Sequence, residues 1–163
     1  MKTYIIILSD QFPKKHAKTG NPTLFKEKFL IGQGIYTKDV LFDIDKTKFP
    51  KIHTIRSNYF LWERRIQEVQ NGNAILSIRQ WSGKPYCSKQ IKIKELTCHD
   101  GVGIQRLNLF DLFRPALIDG RNISLLELAS NDGLTFEDWY HWFKNYDLKQ
   151  PLAIIHFTNF RYL

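Results

Sequence analysis

Residues 74–96 leave few choices to a folding chain. "AILSIRQW" (74–81) and "CSKQIKIKEL" (87–96) alternate apolar and polar side chains with period two, and "SGKP" between them supplies turn residues. Alternation of this kind predicts a hairpin with one buried face, and a lone hairpin is only marginally stable in water. Other strands must therefore join it. Residues 3–8, within "MKTYIIILSD", read as a buried strand; "VGIQRLNLF" (102–110) alternates again, and "LAIIHF" (152–157) supplies the last strand.

Helix signals fall between these runs. Tyr59, Trp62, Ile66 and Val69 share one apolar face, with Ser57 and Asn58 as caps and Gly72 as the stop, which predicts a helix at about 59–70. "TLFKEKFLIGQG" predicts a short helix capped by Thr23 and ended by Gly32 or Gly34. Ser124 with Glu127, and Thr135 with Asp138, have the spacing of capping boxes before "LLELA" and "WYHWF". Residues 11–22 read as a loop, and 37–50 as a charged, irregular stretch closed by Pro50, which disfavours helix at Phe49. The expected class is α+β: five or six mostly antiparallel strands in a curled or barrel-like sheet, with three or four short helices. No linker or repeat divides the 163 residues, so they read as one domain.

Charge narrows the partners. Residues 1–120 hold 20 Lys and Arg against 11 Asp and Glu, while 121–163 hold 4 against 5. A basic excess on one part of the chain suits phosphate-bearing partners, RNA or a nucleotide, as well as a merely lysine-rich surface. The first apolar run is too short for a signal peptide or a membrane span, and two cysteines without other secretory features suggest a reduced, cytoplasmic setting. Cys87 and Cys98 read as buried thiols. The five histidines show no i,i+4 pair and the cysteines no CxxC, so no metal is expected. The glycines form neither a P-loop nor a dinucleotide fingerprint.

The stretch "KIHTIR" (51–56) concentrates the remaining chemistry. On a regular strand Lys51, His53 and Ile55 share one face and Ile52, Thr54 and Arg56 the other; a bend after Pro50 brings Lys51 and Thr54 to one cleft. Threonine beside a lysine of lowered pKa is a nucleophile and its base; in a plain strand edge, Thr54 merely fills a β-branched position. Around the hairpin, Arg79 and Trp81 share a face near Lys84 and Tyr86: a base stacks on Trp81 while Arg79 meets a phosphate, or Trp81 simply covers one end of the sheet. Trp139, Trp142 and Phe143 read as the buried stripe of the last helix. Lys14, Lys15 and Lys18 belong to a solvated loop, or to a basic rim where that loop folds over a cleft.

"KIHTIR" together with "LASNDGLTFEDWYHWF" resembles the ASCH family, a branch of the PUA-like superfold, over about residues 49–158, with 1–48 as an N-terminal elaboration. "FPKKHAKTGNPTLF" and "LSIRQWSGKPYCSKQ" are also similar to ASCH-like proteins of Bacteroidetes and their phages. In the family's N4-acetylcytidine amidohydrolases, a lysine is the base, a threonine three residues on the nucleophile, and a later glutamate the acid. The resemblance places these roles on Lys51, Thr54 and Asp132, with Arg56 nearby. Aspartate is one methylene shorter, which sets its carboxyl back by about 1–1.5 Å unless the backbone compensates. Asp132 also suits a helix-to-helix turn, because "SNDG" lets Gly133 take positive φ.

Three readings follow. The first is a PUA-like module that binds RNA or a modified nucleoside in a basic cleft formed by His53, Arg56, Arg79, Trp81, Lys84 and Tyr86. The second is an amidohydrolase using Thr54, Lys51 and Asp132, which calls on no cofactor. The third is a phage-encoded module that binds another protein.

Overall fold

An inner strand of the larger sheet, "LAIIH", is buried along its whole length, and two other strands of that sheet pair with it on either side. The computed structural model describes residues 1–38 and 48–163. In chain order the elements are β1 (Lys2–Ile7), α1 (Phe25–Gly32), β2 (His53–Arg56), α2 (Tyr59–Gln70), β3 (Ala74–Trp81) and β4 (Gln90–Leu96). There follow β5 (Gly103–Asn108), β6 (Ala116–Ile118), β7 (Arg121–Ile123), α3 (Leu125–Asn131), α4 (Phe136–Phe143) and β8 (Leu152–His156).

The expected α+β class is what the chain adopts. Among the described residues its strands form two sheets, ordered β1-β3-β4 and β2-β8-β5-β6-β7. Every pairing is antiparallel except β1 with β3. The sheets do not close into a barrel among the described residues. Helix α2 packs on β3 of one and on β5 and β8 of the other, burying Trp62, Ile66 and Val69 as its spacing predicts. Asn58 caps it through Leu61 N at 3.3 Å.

The strand count exceeds the five or six expected because β6 and β7 have only three residues each. Their turn, Asp119-Gly120, has φ of 48° and 80°, the doubly positive geometry of a tight hairpin. At α1 the cap shifts by one residue. Leu24 is the N-cap and bears no side-chain bond, while Thr23 Oγ1 accepts from Phe25 N at 3.2 Å and donates to Ser9 O at 2.6 Å.

Both cysteines are exposed, contrary to expectation. Each lies in the turn region at one end of β4, where no core reaches it. Of the irregular stretch 37–50, residues 39–47 lie outside the described residues; Phe49 stands clear of any helix with φ 55°.

The first 38 residues are part of the fold. β1 runs in register with β3 from Lys2↔Ala74 to Ile7↔Arg79, and Phe12 and His16 of the 11–22 loop are buried. His16 Nε2 lies 2.8 Å from Asp138 O, and Lys18 Nζ pairs with Asp138 Oδ2 at 2.8 Å. The loop therefore folds back on α4 rather than standing in solvent, though Lys14 and Lys15 remain exposed.

Candidate active site

Lys51 lies just before β2 and forms an isolated antiparallel bridge with Asp132, the C-cap of α3. Two glycines let the chain close around it. At Gly32, the end of α1, a Cβ would stand 2.9 Å from Lys51 O. At Gly133 it would stand 3.1 Å from Lys51 Cβ, and Gly133 has φ +83°, the turn geometry "SNDG" predicts.

Lys51 Nζ donates to Asp132 Oδ1 at 2.6 Å and to Asp132 O at 2.7 Å, and stands 4.1 Å from the Phe25 ring centroid. Lys51 is 2% exposed and Asp132 3%. Backbone bridging brings the shorter acid within reach of the lysine. Burial pulls Lys51 below the usual lysine range although Asp132 opposes it. Burial likewise pushes Asp132 up, against the pull of Lys51 and Arg56. Both shifts act against the charged forms, and the attraction between Lys51 and Asp132 acts for them.

Thr54 completes the group. It is buried on β2 and lines a cavity of about 20 Å³ with Lys51, Arg56 and Asp132, walled by Phe25, Trp142 and Phe143. That volume admits about one water molecule. Trp142 is the partly exposed ring of this wall, so the last helix's aromatic stripe is not all core; Trp139 and Phe143 are. Arg56 Nη1 donates to Thr54 Oγ1 at 2.8 Å and to Ile55 O at 3.1 Å, and Nη2 to Ile7 O at 2.8 Å. Because Thr54 Oγ1 accepts from a cation, its own proton is free to go to a base, and negative charge on that oxygen is stabilised.

His53 is fully buried and lies outside the cavity lining. Its Nε2 is 2.7 Å from Tyr162 OH, which accepts from Asn131 Nδ2 at 3.0 Å. Its Nδ1 has no hydrogen-bond partner and stands 3.8 Å from Asp132 Oδ1. Burial, His156 and Lys51 together hold the imidazole well below its usual range, so it is neutral. A neutral, enclosed ring cannot meet a phosphate at the surface. Its place is behind the acid.

The hairpin residues lie apart from the cavity. Arg79 Nε donates to Ser77 Oγ at 2.9 Å and Nη1 to Gln90 Oε1 at 3.1 Å. Trp81 and Tyr86 have ring centroids 5.3 Å apart, with Tyr86 89% exposed and Lys84 also exposed. Arg79, toward the turn end of β3, is nonetheless close to Arg56, since it pairs with Ile7, whose carbonyl Arg56 holds.

Sequence patterns did not reveal Phe25 as a wall of the cavity, nor Asn131 and Tyr162 behind it. These contacts come from elements far apart in the chain, and only Asn131, adjacent to Asp132, carried a local signal. Among the described residues no group of three or more His, Cys, Asp or Glu could hold a metal ion, and no helix is long and apolar enough to cross a membrane. Comparison with protein-family models, curated proteins and solved structures finds no match to this chain.

Proposed function

We propose that this chain is an ASCH-type protein of PUA-like ancestry that hydrolyses an amide, with an N4-acylated cytidine-like compound as the substrate class. The observation that carries the reading is the meeting of Lys51, Thr54 and Asp132 at one small cavity, with Arg56 donating to the threonine oxygen. Neutral Lys51 takes the Thr54 proton as Oγ1 attacks the acyl carbon. Arg56 stabilises the oxygen during attack, and protonated Asp132 gives its proton to the departing amine. Water then attacks the acyl-threonine, releasing the acid and restoring the hydroxyl. Burial supports both protonation states, since the base must start neutral and the acid protonated.

The test is release of free amine from N4-acetylcytidine and its nucleotides by the purified chain, beside Asp132→Asn. Loss of the general acid lowers turnover by about 10²–10⁴-fold. Absence of turnover on every acyl chain offered sinks the reading.

RNA or nucleotide binding is a second reading, favoured by the half-buried Trp81 paired with exposed Tyr86 beside Lys84. It centres on the hairpin rather than on "KIHTIR", whose Lys51 and His53 are enclosed. Affinity for RNA that falls steeply with salt and with Trp81→Ala supports it; affinity indifferent to both removes it.

A further inference from the structure

Past Arg56 the chain turns into a second cavity, about 330 Å³ in volume, whose lining includes Asn58, Tyr59, Phe60, Tyr146, Asp147 and Gln150. We propose that this cavity binds an uncharged planar nitrogen heterocycle of nucleobase size, without contact to any phosphate attached to it.

The volume lies within the range of small-molecule sites. Its aromatic walls come from separate parts of the chain. Phe60, at the start of α2, is 56% exposed, and Tyr146, beyond α4, is 37% exposed. Both rings are nevertheless held in place. Phe60 lies 5.5 Å from Tyr59 and 5.6 Å from the Arg106 guanidinium. Tyr146 lies 4.7 Å from Phe143. Exposed but braced rings lose little freedom when a flat ligand stacks on them.

The polar groups narrow the ligand further. Among the described residues, neither the Tyr146 side chain, which interacts electrostatically with Arg56, nor the Gln150 side chain has a hydrogen-bond partner. Asn58 uses its Oδ1 on Leu61 N and keeps its amide nitrogen free. Asp147 uses Oδ1 on Lys149 N and keeps its other oxygen free. The site thus offers donors and acceptors between aromatic faces. An acyl chain would leave these groups unsatisfied. A phosphate would face Asp147; among the described residues no lysine or arginine lines the cavity, and Arg106 is engaged over the Tyr59 and Phe60 rings. A flat molecule with donors and acceptors along its edge meets both conditions.

The inference does not depend on the hydrolase reading. Phe143 lines the Thr54 cavity and braces Tyr146, so the two sites are neighbours but separately built.

Isothermal titration of the full chain with adenosine, guanosine, cytidine and uridine, each beside its 5′-monophosphate, tests the proposal. At least one nucleoside binds, and its monophosphate binds no tighter at any salt concentration. Phe60→Ala weakens binding about tenfold, from the usual worth of one stacked base. Gln150→Ala, at an exposed position, weakens it without risk to the core. The proposal is overturned if no nucleoside binds, if binding survives both Phe60→Ala and Gln150→Ala, or if the monophosphate binds better with a steep salt dependence. Nucleoside binding without amide turnover would sink the hydrolase reading and leave this one standing.

Discussion

Replacing Lys51 by methionine tests whether the buried pair behaves as its surroundings require. In the native protein the pair carries one proton whether it is charged or neutral, and the unfolded chain at neutral pH also carries one, on the lysine. The pair therefore adds no pH dependence to stability near neutrality. Lys51→Met strands Asp132, 3% exposed, with its cationic partner gone, and breaking a buried pair from one side costs about 3–5 kcal/mol. Burial already raises Asp132, and loss of the Lys51 attraction raises it further. A carboxyl whose folded pKa is raised contributes stability fully below its unfolded value of about 3.9, and loses it as pH rises through the folded value. The variant's deficit is thus largest at neutral pH and shrinks on acidification by about 1.4 kcal/mol per pH unit within that window. Urea unfolding of wild type and variant from neutral to mildly acidic pH measures it. A neutral-pH deficit below about 1 kcal/mol, or one that grows in acid, would refute the reasoning. The double variant Lys51→Met/Asp132→Leu should recover most of the loss, because it removes the stranded carboxylate while Arg56 keeps its hydrogen bonds to Thr54, Ile55 and Ile7.

Gly133→Ala should cost about 1–2 kcal/mol from its positive φ and also lower amide turnover, since the new methyl would press on Lys51 Cβ at 3.1 Å. Gly20→Ala has a similar φ with nothing within 4 Å, so it should lose stability alone; equal turnover in the two variants would contradict the account of Lys51. His53 and His156 should both stay neutral in nitrogen-15 NMR spectra recorded through mildly acidic pH, since burial holds His53 well below its usual range and His156 at about 3. Their folded values lie below the unfolded one, so the stability they contribute is present above about pH 6.5 and lost as pH falls toward the folded values. Either ring titrating near 6.5 would show that it is not enclosed as described.

Local rules made much of this fold legible. The 3-4-3 spacing from Tyr59 to Val69 located α2, the alternation at 74–96 located the longer hairpin, and the Thr135 cap, whose Oγ1 accepts from Asp138 N at 3.2 Å, located α4. Strands β6 and β7 were hidden because three residues carry too little alternation to read, although Asp119-Gly120 between them is a hairpin signal. At the site, "KIHTIR" and "SNDG" could be picked out singly, but no spacing within either states that Lys51 and Asp132 pair across the chain. That contact depends on Gly32 and Gly133 admitting the backbone on both sides of Lys51. The enclosure of His53 was equally hidden, because strand alternation does not say that β2 is covered on both faces.

The central claim is that the Thr54 hydroxyl does chemistry. Thr54→Val is nearly isosteric at this buried position and removes only that hydroxyl, so turnover of an N-acylated cytidine by this variant, beside wild type and Thr54→Ser, addresses the claim most directly. Turnover is expected in wild type, at a reduced rate in Thr54→Ser, and not above background in a folded Thr54→Val. Turnover by Thr54→Val at the wild-type rate would contradict it.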